Sequence, residues 1–246
     1  MVSLSALSVL AIWEKGRGQS PLERGLTMLS YALPDEEQEA LADLRIGERD
    51  RLLLELRERS FGPQLKAFAA CPRCQESLEY SLRTFDLAEP LVEMGGSDPG
   101  PREAAVGDFK LGIRSPSSAD LAAVASAETV ESARIRLCEG CVTEANRNGI
   151  SIAVSELPED IIFAVGEQVA AIDPGGEMMV RLTCPICHHE WPLVFDIASF
   201  MYAEISALAR RILEDIHALA SYYGWGEKEI LALPAARREF YLKKVR

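Results

Sequence analysis

The chain has 246 residues, 48% of them hydrophobic and 26% charged, which is enough for one large domain or two small ones around a sizeable core. Its formal net charge of -12 sets it against phosphate backbones and so argues against broad nucleic-acid binding; a partner with a basic surface suits it better. No run approaches ~18 consecutive apolar residues, so no membrane span is expected.

The start, Met1 to Ile12, is apolar, but no basic residue precedes it and no small-residue cleavage pattern follows. It reads as an amphipathic helix, and the chain is expected in the cytoplasm, where thiols stay reduced. Pro21 after Ser20 marks a helix start, with Leu22, Leu26, Leu29 and Leu33 at helical spacing and Pro34 as the stop. Asp35, Glu36, Glu37 and Glu39 read as a solvated helix start, where carboxylates suit the dipole. A further helix is expected over Gly47 to Arg59, stopped by Phe61-Gly62-Pro63.

Ser77 to Thr84 alternates as a strand, with Leu78, Tyr80 and Leu82 on one face. Gly95 to Pro101 reads as a loop, and Asp108 to Arg114 as the returning strand. Helices are predicted again from Ser115: a short Ala-rich one capped by Ser118 or Asp120, a longer one over Thr129 to Asn146 ended by Asn148-Gly149, and a third over Leu157 to Ile172 before Pro174-Gly175-Gly176. Met178 to Thr183 and Trp191 to Phe195 read as short strands. Ile197 to Tyr223 reads as a long helix broken at Gly224, followed by helices at Glu227 to Leu233 and Ala235 to Val245.

Six cysteines fall in three Cys-x-x-Cys pairs. Cys71/Cys74 and Cys184/Cys187 are both Cys-Pro-x-Cys, and each is followed by strand-like alternation. That is the pattern of a knuckle, a tight turn between strands that aims two thiolates at one point. Two knuckles supply the four sulfurs of a closed structural zinc site, so Cys71, Cys74, Cys184 and Cys187 are the expected ligands. The 109 residues between Cys74 and Cys184 exceed ordinary ribbon spacing and imply an insertion between two halves of one ribbon. Metal there would tie distant segments together. His188 and His189 adjoin the second knuckle as turn residues or donors to the sulfurs, or as replacements for one of them. Cys138/Cys141 lies within a predicted helix, either as two small core residues or as a second metal or redox pair.

Other chemistry finds no footing. A redox pair of the thioredoxin type would open a helix, and neither terminal pair does. No His-Glu-x-x-His signature, phosphate-cradling glycine loop or nucleophile elbow is present. The expected fold is α+β: a small antiparallel zinc-ribbon-like sheet built by the two distant knuckles, surrounded by N-terminal, inserted and C-terminal helices. The segments run 1–65 (helical), 66–114 (first knuckle), 115–176 (helical insertion), 177–196 (second knuckle) and 197–246 (helical), in one composite domain.

The C-terminal region carries an apolar stripe that includes Ile205, Ile212, Ile216 and Leu219, then the break at Tyr223-Gly224-Trp225. Arg237, Arg238, Lys243, Lys244 and Arg246 concentrate positive charge there, as helix-dipole compensation or as a docking face. The segment Ile216 to Trp225, followed by Glu229 to Leu233, Arg237-Arg238 and Tyr241-Leu242, resembles the C-terminal region of the T-even-phage-like baseplate hub assembly chaperone family. The chain as a whole resembles a zinc-knuckle version encoded with phage-tail-like contractile injection systems. The stretches that carry this are Pro21 to Arg24, Ile46 to Asp50 with Leu52-Leu53-Leu54, Arg57 and Phe61-Gly62, the Cys71 knuckle with Leu78-Glu79, Pro116 to Leu121, and Cys184 through Trp191 to Asp196. The resemblance implies a non-enzymatic assembly chaperone or adaptor that acts on baseplate hub, spike or tube proteins. Its partner surface is expected at Ile216, Leu219, Tyr223, Trp225, Ile230, Leu233, Arg237 and Arg238. The rival expectations are a zinc or thiol-redox enzyme and a zinc-ribbon adaptor of another complex.

Overall fold

The computed structural model describes residues 1–88, 101–172, 176 and 178–245. Most of the expected Gly95–Pro101 loop, Pro174-Gly175 and Arg246 lie outside the described residues. The chain divides into two compact units, residues 1–34 with 197–246, and residues 35–196.

The first unit is helical. Helix α1 (Ala6–Gly16) starts at Ser5, whose hydroxyl accepts from the Ser8 amide. Helix α2 (Pro21–Ala32) starts on a reciprocal cap: the Ser20 hydroxyl accepts from the Glu23 amide and the Glu23 carboxylate accepts from the Ser20 amide. From the far end of the chain comes α8 (Ile197–Tyr223), which turns its Ile205, Ala209, Ile212, Ile216 and Leu219 inward, as their helical spacing requires. One close approach fixes the α1–α8 packing. Gly16 lies against Tyr202, where a Cβ would stand 2.3 Å from a ring carbon. The Tyr202 hydroxyl donates to the Trp13 carbonyl at 2.9 Å, and the Arg24 guanidinium lies over the same ring. Gly224 (φ +70°) ends α8 in the left-handed conformation. Helices α9 (Glu227–Ala232) and α10 (Ala235–Val245) then fold back on α8, burying Ile230 and Leu242.

The second unit begins with α3 (Gln38–Asp43) and α4 (Ile46–Phe61), which Gly62 ends at φ +87°. Strands β1 (Gln64–Ala70) and β2 (Ser77–Arg83) then form an antiparallel hairpin. A four-stranded antiparallel sheet follows, in the order β3 (Arg102–Val106), β4 (Phe109–Ile113), β5 (Val142–Arg147), β6 (Ile150–Ser151). Helices α5 (Ser118–Val124) and α6 (Val130–Cys141) lie between β4 and β5 in the chain, and α7 (Glu159–Ile172) follows the sheet. Phe109, Leu111, Ile113, Val142, Ala145, Ile161, Ile162 and Val165 share its core with Cys138. A second hairpin, β7 (Met179–Thr183) and β8 (Glu190–Val194), completes the unit.

Several expectations need correction. The predicted Thr129–Asn146 helix stops at Cys141 and continues as strand β5, because β-branched Val142 and Thr143 suit a pleated surface. Asn148-Gly149, read as a helix stop, is a tight hairpin turn with both residues at positive φ, the conformation that Asn-Gly favours. Strand β4 returns not to the knuckle strand β2 but to β3 and β5. The two knuckles therefore do not build one ribbon sheet; each carries its own two-stranded hairpin. The short Ala-rich helix is capped by Ser117 rather than Ser118 or Asp120, although Asp120 completes the cap from the third helical position.

Candidate metal centre

The two hairpins bend in the same way at their cysteines. In the first, the Gln75 amide donates to the Cys71 carbonyl and the Cys71 amide to the Glu76 carbonyl, each at 2.9 Å. In the second, His188 donates to Cys184 and Cys184 to His189, again at 2.9 Å. The residue after the second cysteine takes the left-handed conformation in both, Gln75 at φ 62° and His188 at φ 55°. Proline after the first cysteine has its φ preset for such a turn and gives up only an amide the turn leaves unused.

This bend turns the sulfurs to one side and brings backbone N–H groups against them. Those of Arg73 and Cys74 reach the Cys71 sulfur, that of Glu76 reaches Cys74, and that of His189 reaches Cys187. Burial pushes the Cys71 thiol up, but these amide donors and the neighbouring thiols outweigh it and bring the group down to about 7. At Cys74 the Glu76 amide acts downward, but burial and the three neighbouring sulfurs prevail and push it up to about 12. Cys71 and Cys74 thus share charge: one ionises readily and makes the other harder to ionise.

Across the hairpins, Cys71 Sγ lies 3.6 Å from Cys187 Sγ, and Cys74 Sγ lies 3.6 Å from Cys184 Sγ. All four sulfurs fall within 4.8 Å of one another, and all four are free thiols. Cys71 and Cys184 are buried, whereas Cys74 faces solvent and Cys187 is half-buried. An all-sulfur set this tight could hold a metal ion, and its softness suits thiophilic metals. The hairpins pack beside it through Tyr80, whose ring meets Trp191 edge-on at 6.3 Å.

The structure therefore brings together all four expected ligands over a separation of more than a hundred residues. Neither His188 nor His189 joins them: His188 occupies the exposed left-handed turn position, and the His189 ring stacks on Trp191. Cys138 and Cys141 stay apart from the cluster, buried at the end of α6. Burial pushes both thiols up, Cys141 to about 12, so neither is a ready nucleophile. Both border a half-open cavity of about 560 Å³ whose other walls include Leu121, Leu137 and Val169. The expected partner residues divide. Ile216, Leu219 and Ile230 are buried and support the first unit from inside, because the stripe they form is the core-facing one. Tyr223, Trp225, Leu233 and Arg238 are half-buried, and Arg237 is exposed. Sequence reasoning passed over Tyr222 and Phe240, which are more exposed than any of the expected aromatic residues.

Among the described residues no helix is long and apolar enough to cross a membrane. Comparison with curated proteins and with solved structures finds no match. A family model, described as T4 bacteriophage base plate protein, matches residues 27–202. That range takes in both knuckles, the Ile46–Asp50 and Pro116–Leu121 stretches and the start of α8; the stretch from Ile216 onward lies beyond it. The structure joins the two short stretches directly, since the Ile46 amide donates to the Pro116 carbonyl and Arg49, salt-bridged to Asp50, reaches the Ser118 hydroxyl at 3.2 Å. With about seven-tenths of its length matched, the chain belongs to the T4 bacteriophage base plate protein family.

Proposed function

We propose that this chain is a non-enzymatic assembly chaperone or adaptor for the baseplate hub and tail of a phage-like contractile injection system, with a structural zinc ion held by Cys71, Cys74, Cys184 and Cys187. The observation that carries the baseplate role is the family match over residues 27–202. The partners are hub, spike or tube proteins met in the cytoplasm, with no part for membrane or nucleic acid.

Sulfur geometry supports the zinc. A tetrahedral zinc–thiolate centre with bonds of about 2.3 Å sets its sulfurs about 3.8 Å apart. The two cross-hairpin pairs stand at 3.6 Å, far beyond the ~2.05 Å of a disulfide. Four sulfurs close the coordination sphere, which is the structural kind of site; a catalytic one keeps a position open for water. The amide donors at Cys71, Cys74 and Cys187 would offset part of the negative charge that four thiolates bring. In this reading zinc clamps two hairpins that are individually too small to be stable.

Co-expression with candidate hub, spike and tube subunits, followed by pulldown, tests the role. A complex with one of them is the expected result. Failure to bind any tail subunit, in a system whose particles need the gene, would sink it. Metal analysis should return one zinc per chain, and cobalt substitution should give thiolate charge-transfer absorption. A chain that is folded yet takes up neither metal would overturn the site. The competing enzyme reading predicts the opposite pattern on cysteine replacement: activity lost while the fold survives.

A further inference from the structure

The end of the chain carries a second kind of surface. Five aromatic rings touch in series: Tyr222 meets Tyr223 edge-on at 4.9 Å, Tyr223 stacks on Trp225 at 4.6 Å, Trp225 meets Tyr241 at 4.9 Å, and Tyr241 meets Phe240 at 5.6 Å. The inner rings are half-buried, but both ends are open to solvent, Tyr222 at 66% and Phe240 at 57%. Scattered exposed hydrophobics are ordinary; a contiguous ledge of aromatic rings packed on one another is not, and such rings dominate binding hot spots.

Positive charge predominates on the helix that carries Phe240. Helix α10 carries Arg237, Arg238, Lys243 and Lys244 against Glu239 alone, on a chain whose net charge is -12. Its buried side presents Leu242, which leaves Arg237, Phe240 and Lys244 on the opposite face at spacings of three and four residues. The Lys244 ammonium lies 5.6 Å from the Phe240 ring centre. Glu239 already pairs with Lys243 at 2.8 Å, whereas among the described residues Arg237 and Lys244 have no ion-pair partner. An exposed aromatic ring flanked by two cations outside any ion pair among the described residues matches a segment that offers an apolar anchor with carboxylates on either side.

We infer that the Tyr222–Phe240 ledge is the docking surface for an acidic amphipathic segment of a partner protein, with Phe240 and Tyr222 as its apolar contacts and Arg237 and Lys244 as its charge contacts. Polyanionic nucleic acid fits less well, because Glu227, Glu229 and Glu239 are interspersed in the same short stretch. The identification of that partner as a baseplate component rests on the function proposed above; the surface and its chemistry do not.

The probe is a fluorescein-labelled amphipathic peptide of about five helical turns, with Leu and Trp on one face and Glu on the other. Its binding to the full-length protein is read by anisotropy. The acidic peptide should bind, and should weaken as salt is raised from about 0.05 to 0.5 M. Phe240→Ala, and separately Arg237→Glu with Lys244→Glu, should each weaken it at least about tenfold, as loss of a hot spot does. These side chains are exposed, so unchanged circular dichroism and melting should accompany the loss. Lys66→Glu, in the other unit, should leave binding unchanged. Equal binding of a peptide with Lys in place of Glu would overturn the inference, as would variants that bind like the parent. Competition by single-stranded oligothymidine would reassign the ledge to nucleic acid, and self-association abolished by Phe240→Ala would reassign it to a second copy of the chain. The two proposals fail separately. If the parent and the Arg237→Glu/Lys244→Glu variant capture a tail subunit equally, the ledge is wrong and the baseplate role stands. If the peptide behaves as expected but the parent captures no tail subunit, the reverse holds.

Discussion

Cys71/Cys74 and Cys138/Cys141 have the same spacing and opposite surroundings. The first pair sits at a hairpin bend, with proline after the first cysteine and a left-handed residue after the second. Its sulfurs meet a second such bend from far along the chain. The other pair closes a helix: Val142, which follows it, is extended at φ -88°, and no proline interrupts Glu139-Gly140. A helix spends its amides on its own carbonyls, so they do not reach sulfur, and the thiols sink into an apolar core. In this chain the pair whose backbone frees its N–H groups to face the sulfurs is the one that meets a second pair.

Replacing one cysteine in each setting breaks this comparison at its widest point. Cys184→Ser should lose the metal and unfold at least the two hairpins, because structural zinc supplies roughly 10 kcal/mol or more of apparent binding energy at neutral pH. That exceeds the stability of many whole domains. Metal content and thermal melting check it, with chelation of the parent expected to give the same result; a variant that keeps its metal and melts like the parent would refute the pairing. Cys141→Ser should keep the full metal content. It exchanges a fully buried thiol for a more polar hydroxyl, a change costing about 1–3 kcal/mol, read as a lower melting temperature.

The contrast was half visible in the sequence. Cys-Pro-x-Cys followed by alternating residues identified both knuckles, because that turn is local and its chemistry is written in adjacent residues. Strand β1 was not visible: Gln64–Ala70 is rich in alanine and becomes a strand only through its register with β2, from Gln64 against Arg83 to Ala70 against Ser77. Strand β5 was hidden in the same way by the helical residues before it, although Asn148-Gly149 after Val142 and Thr143 is a hairpin signal. At the C-terminus, the apolar stripe was legible as a core-facing one, and placing Ile216 and Leu219 on a partner surface as well ran against it. Ile216 and Leu219 were drawn inward by their own hydrophobicity, and the surface passed to Tyr222 and Phe240, which lie off the stripe.

Something other than metal must then hold the Cys138/Cys141 turn in place, and an ion pair does. Arg114 donates to both oxygens of Asp120, at 2.6 and 2.8 Å, and to the Gly140 carbonyl at 2.7 Å, while its own amide donates to the Cys141 carbonyl. Burial pushes the Asp120 carboxyl up, but the Arg114 guanidinium and the Ser117 amide and hydroxyl outweigh it and hold it below the ordinary carboxylate range. A carboxyl whose folded pKa lies below its unfolded value adds stability that is fully present above the unfolded value and is lost as pH falls through the folded one. Asp120→Asn should therefore lower stability by about 1 kcal/mol at neutral pH, a modest figure because Arg114 is partly open to solvent. The difference from the parent should shrink as the pH is taken below about 3.9, the unfolded-state value. Melting curves at both pH values check it, and a difference that does not change with pH would mean that the carboxylate charge is not what anchors the turn.

The smallest effect tests the knuckle side from within. The Tyr80 hydroxyl is buried without a hydrogen-bond partner among the described residues. Burial raises its pKa, and so do the charges of Cys184, Cys71 and Cys74, which places the phenol close to the sulfurs. Its ring contributes the edge contact with Trp191, which phenylalanine would preserve. A buried donor with no acceptor lowers stability, and removing it recovers up to about 1 kcal/mol. Tyr80→Phe should thus keep the metal and melt slightly above the parent. If instead it melts lower and gives up its metal sooner to a competing chelator, the hydroxyl donates to a thiolate once the centre is charged. The sulfurs would then draw on a side chain as well as on the backbone amides that separate them from Cys138 and Cys141.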